Sequence, residues 1–177
     1  MQIAVVVGNP KPRSRTLAIA TAVAQSAGAL LGGEVTLEVD LALFTDEIFK
    51  WPSDEMSRLN DSVASSDLVI VASPTYKATY TGLLKSFLDR YPSNGLSGVT
   101  AIPVMTGASA LHAMSIDTGL RPLLVELGAS VPTRGLYFVM SQMPELEQVI
   151  ASWVDENLAP GGLIAPTARP TDQPESE

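Results

Sequence analysis

Short apolar runs alternating with longer amphipathic stretches constrain this chain more than any other feature. Ile3–Val7 is nearly continuous in apolar residues, as is Leu68–Ala72 behind Asp67. Runs of that length, bounded by glycine, proline or polar residues, suit strands buried on both faces. Val35–Val39 alternates instead, as a strand nearer a sheet edge does. Val99–Met105 is expected as the fourth strand, with a local irregularity at Pro103, and Val131–Met140 as the fifth. Helical patterns fill the intervals. The first runs from about Ser14 to Leu31 and closes at Gly32-Gly33, and the second starts at Ser53 with Asp54 and Glu55 in its first turn and ends near Ala64. Thr81–Arg90, Ala110–Leu127 and Pro144–Leu158 complete the set, while Asp40–Trp51 reads as irregular.

Five strands alternating with five helices imply a parallel sheet covered on both faces. At this length the expected fold is α/β, a flavodoxin-like three-layer sandwich with a five-stranded parallel sheet in the order 2-1-3-4-5. Such sheets bind ligands at the carboxyl ends of their strands, beside the switch between strands one and three. Loops 8–16, 73–80 and 106–111 are therefore the ones to inspect. One domain is expected over residues 1–159, followed by a flexible acidic, proline-rich tail at 160–177.

The net charge of −8 argues against nucleic acid or an anionic membrane as the main partner. Cysteine is absent, which removes disulfides, thiolate nucleophiles and Cys-ligated metals and fits a cytoplasmic location. Leu96–Met114 carries no Asp, Glu, Lys or Arg, but its Ser, Thr, Gly, Pro and His suit two soluble elements joined by a loop better than a membrane span.

Loop one reads GNPKPRSRT, and Lys11, Arg13 and Arg15 are three of only eleven cationic side chains. It lacks the Lys-Ser/Thr ending of a nucleoside-triphosphate loop and the repeated glycines of a dinucleotide loop. What remains is Ser14 and Thr16 around Arg15 at a helix start, where exposed N–H groups and the helix dipole favour an anion. A capped helix beside a solvated basic loop is the plainer alternative. Loop two, SPTYKATY, is stiffened by Pro74 and offers Thr75 and Tyr76 to a planar ring, although packing alone also accounts for a loop tyrosine. Lys85 and Asp89, one helical turn apart, read as a surface ion pair. Loop three, MTGASALHAM, is small enough to let a ring approach the backbone, and Ser109 suits an N-cap. His112 is the only histidine, and no Gly-x-Ser-x-Gly elbow or metal-ligand cluster accompanies it.

In combination, GNPKPRSRT, SPTYKATYTGLLKSFLD, TGASALHAMSIDTGLRPLLVELGA and RGLYFVMSQ resemble the NAD(P)H-dependent FMN reductases. The resemblance covers roughly residues 1–150 and is nearest the reductases of alkanesulfonate-type two-component monooxygenase systems. It implies that Ser14, Arg15 and Thr16 hold the FMN phosphate. Pro74, Thr75, Tyr76 and Lys77 would line the isoalloxazine, with Thr106, Gly107 and Ser109 closing the far side. The implied reaction is hydride transfer from NADPH or NADH to FMN, delivering reduced flavin to a partner monooxygenase, with no catalytic acid or base. Alternatives are a bound FMN that reduces quinones, azo dyes or metal ions, and a flavodoxin-like electron carrier. A homodimer or homotetramer is the family expectation. The resemblance has one departure: reductases of the sulfonate systems tend to carry a tyrosine, associated with a π-helical insertion, where this chain has Thr118 before Gly119.

Overall fold

A computed structural model describes residues 1–158; the tail expected at 160–177 lies outside the described residues. Five strands, β1 (Gln2–Val7), β2 (Glu34–Asp40), β3 (Leu68–Pro74), β4 (Thr100–Gly107) and β5 (Leu136–Val139), form one sheet in the order β2-β1-β3-β4-β5. Every pairing is parallel. Helices α1 (Arg15–Leu31), α2 (Asp54–Ala64), α3 (Gly82–Leu88), α4 (Arg121–Glu126) and α5 (Leu146–Asn157) connect or follow the strands. The flavodoxin-like order expected from the alternation is the one observed. Among the described residues no helix is long and apolar enough to cross a membrane.

Successive side chains of a strand point to opposite faces, so the buried strands feed two cores. Ile3, Val5 and Val7 join Ile70 and Val104 beneath α1 and α5, against Ile19, Val23, Ile150 and Val154. Ala4, Val6, Val69 and Val71 face the other way, towards Met56, Phe87 and Leu124. Each fully buried aliphatic side chain contributes roughly 1.5–3 kcal/mol of transfer free energy. β2, at the sheet edge, alternates between exposed and half-buried residues over Glu34–Glu38, as its sequence suggested.

The irregularity expected at Pro103 does not form, because β4 runs unbroken. Ala101 N–H donates to Ser130 O, so Pro103, two residues on, directs its missing donor to the same side. There β4 meets β5 only from Val104–Leu136 onward, and no ladder bond is lost.

Two other expectations need correction. The fifth strand was expected over Val131–Met140, yet β5 holds only Leu136–Val139. Arg121 takes the carbonyls of Val131, at 2.7 Å from Nη1, and of Thr133, drawing that segment away from the sheet. The helix expected over Ala110–Leu127 is broken into a 3₁₀ turn at Ala110–His112, a π turn at Ile116–Leu120, and α4. The π turn forms with Thr118 at its centre and needs no aromatic side chain there. Pro122 accounts for it: in a regular α-helix its ring would collide with the Thr118 carbonyl, and it has no N–H to donate. Widening the preceding turn, so that Arg121 N–H bonds Ile116 O five residues back, removes that conflict.

Candidate functional site

At the carboxyl edge of the sheet, loops one, two and three surround a cavity of about 430 Å³. Loop one is held from several directions. Asn9 Oδ1 accepts Lys11 N–H at 2.9 Å, which turns the chain back after β1. Asn9 Nδ2 donates to Thr16 Oγ1 at 3.1 Å, and Thr81, at the start of α3, donates its hydroxyl to Gly8 O. Gly8 is needed because a β-carbon there would lie 2.3 Å from that of Leu84. Arg13 adopts φ +51°, a left-handed conformation that costs a non-glycine residue about 1 kcal/mol.

Helix α1 then begins with Ser14 as N-cap, its hydroxyl accepting Leu17 N–H at 3.2 Å. Its first turn contains no acidic residue. Lys11, Arg13 and Arg15 all line the cavity, and no Asp or Glu does. None of the three ion pairs among the described residues involves these cations. The result is a wall of cations without side-chain ion pairs at the positive end of a helix, a setting that favours an anion.

Thr16 makes contacts that the sequence did not suggest. Its side chain is buried and its Oγ1 lies 2.9 Å from Thr106 Oγ1, across a separation of 90 residues. With Asn9 also bonded to it, this hydroxyl ties loop one to β4. Loops two and three are tied as well: Thr75 N–H donates to Thr106 O at 2.7 Å, and the Thr75 hydroxyl donates to Tyr137 OH at 3.2 Å. Tyr137 occupies the space beside Gly107, where a β-carbon would fall 2.0 Å from its hydroxyl oxygen.

Loop two is a tight hairpin. Tyr76 and Thr79 exchange backbone hydrogen bonds of 2.9 and 3.2 Å, and the two residues between them, Lys77 and Ala78, have φ of +51° and +67°. Such turns favour asparagine and glycine, so two ordinary residues leave the backbone strained beside the cavity. Tyr76 is half exposed and lines the cavity. The π turn braces this hairpin through Gly119, whose missing β-carbon would lie 3.2 Å from Thr79 Oγ1.

Of the ten residues expected at the site, Ser14, Arg15, Thr16, Pro74, Thr75, Tyr76, Thr106 and Gly107 line this one cavity. Lys77 and Ser109 do not. Ser109 occupies an N-cap position but makes no side-chain cap bond, and His112 follows it exposed to solvent. Beyond the ten expected residues, Asn9, Lys11, Arg13, Ala108 and Met140 also line the cavity. Asn9 had a local signal, an asparagine turn before Lys11. Met140 had a topological one, since it directly follows β5 at the same sheet edge.

Residues 1–143 match the family described as NADPH-dependent FMN reductase. The chain belongs to that family. It is 33% identical over 94 residues to an FMN reductase (NADPH) of Escherichia coli K12, covering 53% of this chain and 49% of that one. It is 41% identical over 76 residues to the NADH-dependent FMN reductase SfnF of Pseudomonas putida, covering 43% of this chain and 41% of the relative. The chain thus spans about half the length of these curated relatives or less. Among solved structures, the apo NADH:FMN oxidoreductase EMOB superposes with a TM-score of 0.76 at 27% identity, covering 90% of this chain and 91% of that one. An oxidoreductase from Corynebacterium diphtheriae gives 0.77 at 25% identity, covering 88% and 93%.

Proposed function

We propose that this protein reduces FMN at the expense of NADPH or NADH and delivers the reduced flavin to an acceptor such as a partner monooxygenase. The observation that carries this reading is the cavity's charge. Three cations from one loop meet at the acid-free start of α1, with no carboxylate in the wall, at the sheet edge where flavodoxin-like folds bind ligands. Family membership supplies the flavin, for which the local chemistry alone asks only for a phosphate.

The residues present fit FMN. Arg15, the Ser14 hydroxyl and the backbone N–H groups of the first turn of α1 would take the phosphate, with Lys11 and Arg13 adding positive charge nearby. Thr16 would contribute its backbone N–H and, where Thr106 is the donor in their shared bond, its hydroxyl hydrogen as well. Pro74, Thr75 and Tyr76 would flank the ring on one side, and Thr106 and Gly107 on the other. Gly107 lines that side with its backbone, and the place of its missing side chain is taken by Tyr137. Bound FMN supplies the redox chemistry by accepting a hydride from the nicotinamide. The protein's task is to hold the two rings together and exclude water, and no side chain here is assigned as an acid or base.

Exposed Leu111 and Met114, between β4 and the π turn, provide apolar surface that a second copy of the chain would cover, in line with a homodimer or homotetramer. The test of the reading is steady-state oxidation of NADPH and NADH by purified protein with FMN, FAD or riboflavin. FMN-dependent turnover with either nicotinamide is expected, with FMN preferred to riboflavin. Absence of turnover above background with both nicotinamides overturns the reading. Flavin retained through gel filtration, with turnover only on quinones or dyes, would move the activity to a prosthetic FMN.

A further inference from the structure

Asp40 ends β2, an edge strand, yet it is only 5% exposed. One carboxylate oxygen, Oδ2, accepts the backbone N–H of Arg13 at 2.8 Å. The other, Oδ1, accepts Ala42 N–H at 3.3 Å and starts the 3₁₀ turn Leu41–Phe44. None of the ion pairs among the described residues includes Asp40, although the loop it touches carries three of the chain's cations. Its charge is spent on backbone.

The bonded amide belongs to Arg13, the residue whose φ is +51°. A left-handed non-glycine residue persists only where its surroundings hold it. Asn9 fixes the first half of loop one through Lys11 N–H and Thr16 Oγ1. Asp40 fixes the second half, immediately before the N-cap Ser14. The left-handed kink sits between Lys11 on one side and Ser14 and Arg15 on the other, so it sets how the cations enter the cavity wall.

We infer that Asp40 is a positioning residue for the anion end of the site: by holding the Arg13 amide it presents Arg13, Ser14 and Arg15 to the flavin phosphate without touching the flavin. This rests on the reading that loop one receives that phosphate. The inference requires Asp40 to matter for FMN and not for riboflavin, which lacks the phosphate, and to matter for KM rather than kcat. A residue that only supported the fold would affect both flavins alike.

The experiment measures KM and kcat for FMN and riboflavin in the wild-type protein, Asp40→Ala and Asp40→Asn, with thermal melts to check folding. Asp40→Ala is expected to raise KM for FMN about tenfold, leaving kcat and the riboflavin KM within about twofold. Asp40→Asn keeps an oxygen that can accept the Arg13 N–H, and is expected to recover most of the loss, remaining about two- to fourfold above wild type for FMN alone. If Asp40→Ala does not fold, the FMN-selective effect in Asp40→Asn decides. Equal effects on both flavins, or none on either, in a wild-type background that prefers FMN overturn the role of Asp40 alone. Equal KM values for the two flavins in the wild type overturn the phosphate reading itself, and this inference with it.

Discussion

Helices α1 and α2 begin in the same way and are electrostatic opposites. Each has a buried serine N-cap whose hydroxyl accepts the N–H three residues on, Leu17 at 3.2 Å from Ser14 and Met56 at 3.3 Å from Ser53. Helix α2 then places Asp54 and Glu55 in its first turn, where carboxylates complement the positive end of the dipole. Helix α1 places Arg15 there, no acid, and two more cations just upstream. One helix start is complete within the chain. The other has no acid in its first turn, and under the proposed function the flavin phosphate would supply that negative charge.

Supplying α1 with the charge that α2 already has should produce the largest effect. Arg15→Glu is expected to raise KM for FMN about a hundredfold or more, because it removes a charge-assisted contact and adds repulsion. The same change should raise the stability of the flavin-free protein by about 0.3–1 kcal/mol, read by urea denaturation. Saturating FMN, at about 100 times the wild-type Kd, should stabilise the wild type by about 2.7 kcal/mol and this variant by about 0.4 kcal/mol or less. Loss of stability in flavin-free Arg15→Glu would mean that α1 is not short of negative charge.

Removing the caps sharpens the contrast at intermediate size. Ser14→Ala and Ser53→Ala should each cost about 1 kcal/mol of stability in denaturant melts. Only Ser14→Ala should also raise KM for FMN, by about three- to tenfold, since its hydroxyl has a second task. Equal kinetics in the two variants would deny Ser14 that task. The smallest effect is expected at α2: Asp54→Asn should lower stability by about 0.3–1 kcal/mol and leave FMN kinetics unchanged.

The parts of the molecule that were legible in the sequence are those where one local signal points one way. The runs Ile3–Val7 and Leu68–Ala72 could hardly be anything but buried strands, and they fixed the topology through the connections between them. The basic loop and its serine cap were legible for the same reason. What was not legible falls where distant residues decide. The bonds of Thr16 to Thr106 and Asn9 leave no trace in the local sequence. Val131–Thr133 reads as strand until Arg121 takes its carbonyls. The left-handed hairpin at Lys77 and Ala78 depends on the pairing of Tyr76 with Thr79, which neither residue type announces. Pro122 did carry a local signal, a helix breaker inside a helical pattern, and its answer was a widened turn rather than an end.

The long sequence separation of Thr16 and Thr106 predicts an order of events in folding. Loops one and two are complete once the chain has passed residue 81, but the partner that locks loop one comes from the far end of β4. A contact spanning 90 residues forms only after the slow, non-local pairing of β3 with β4. On that order a refolding chain would gather its cations before it has a pocket, and under the proposed function flavin capture would report late that the sheet has closed. The rate at which FMN fluorescence is quenched during refolding would then follow β4 docking rather than helix formation, making the ligand a clock for the last topological step.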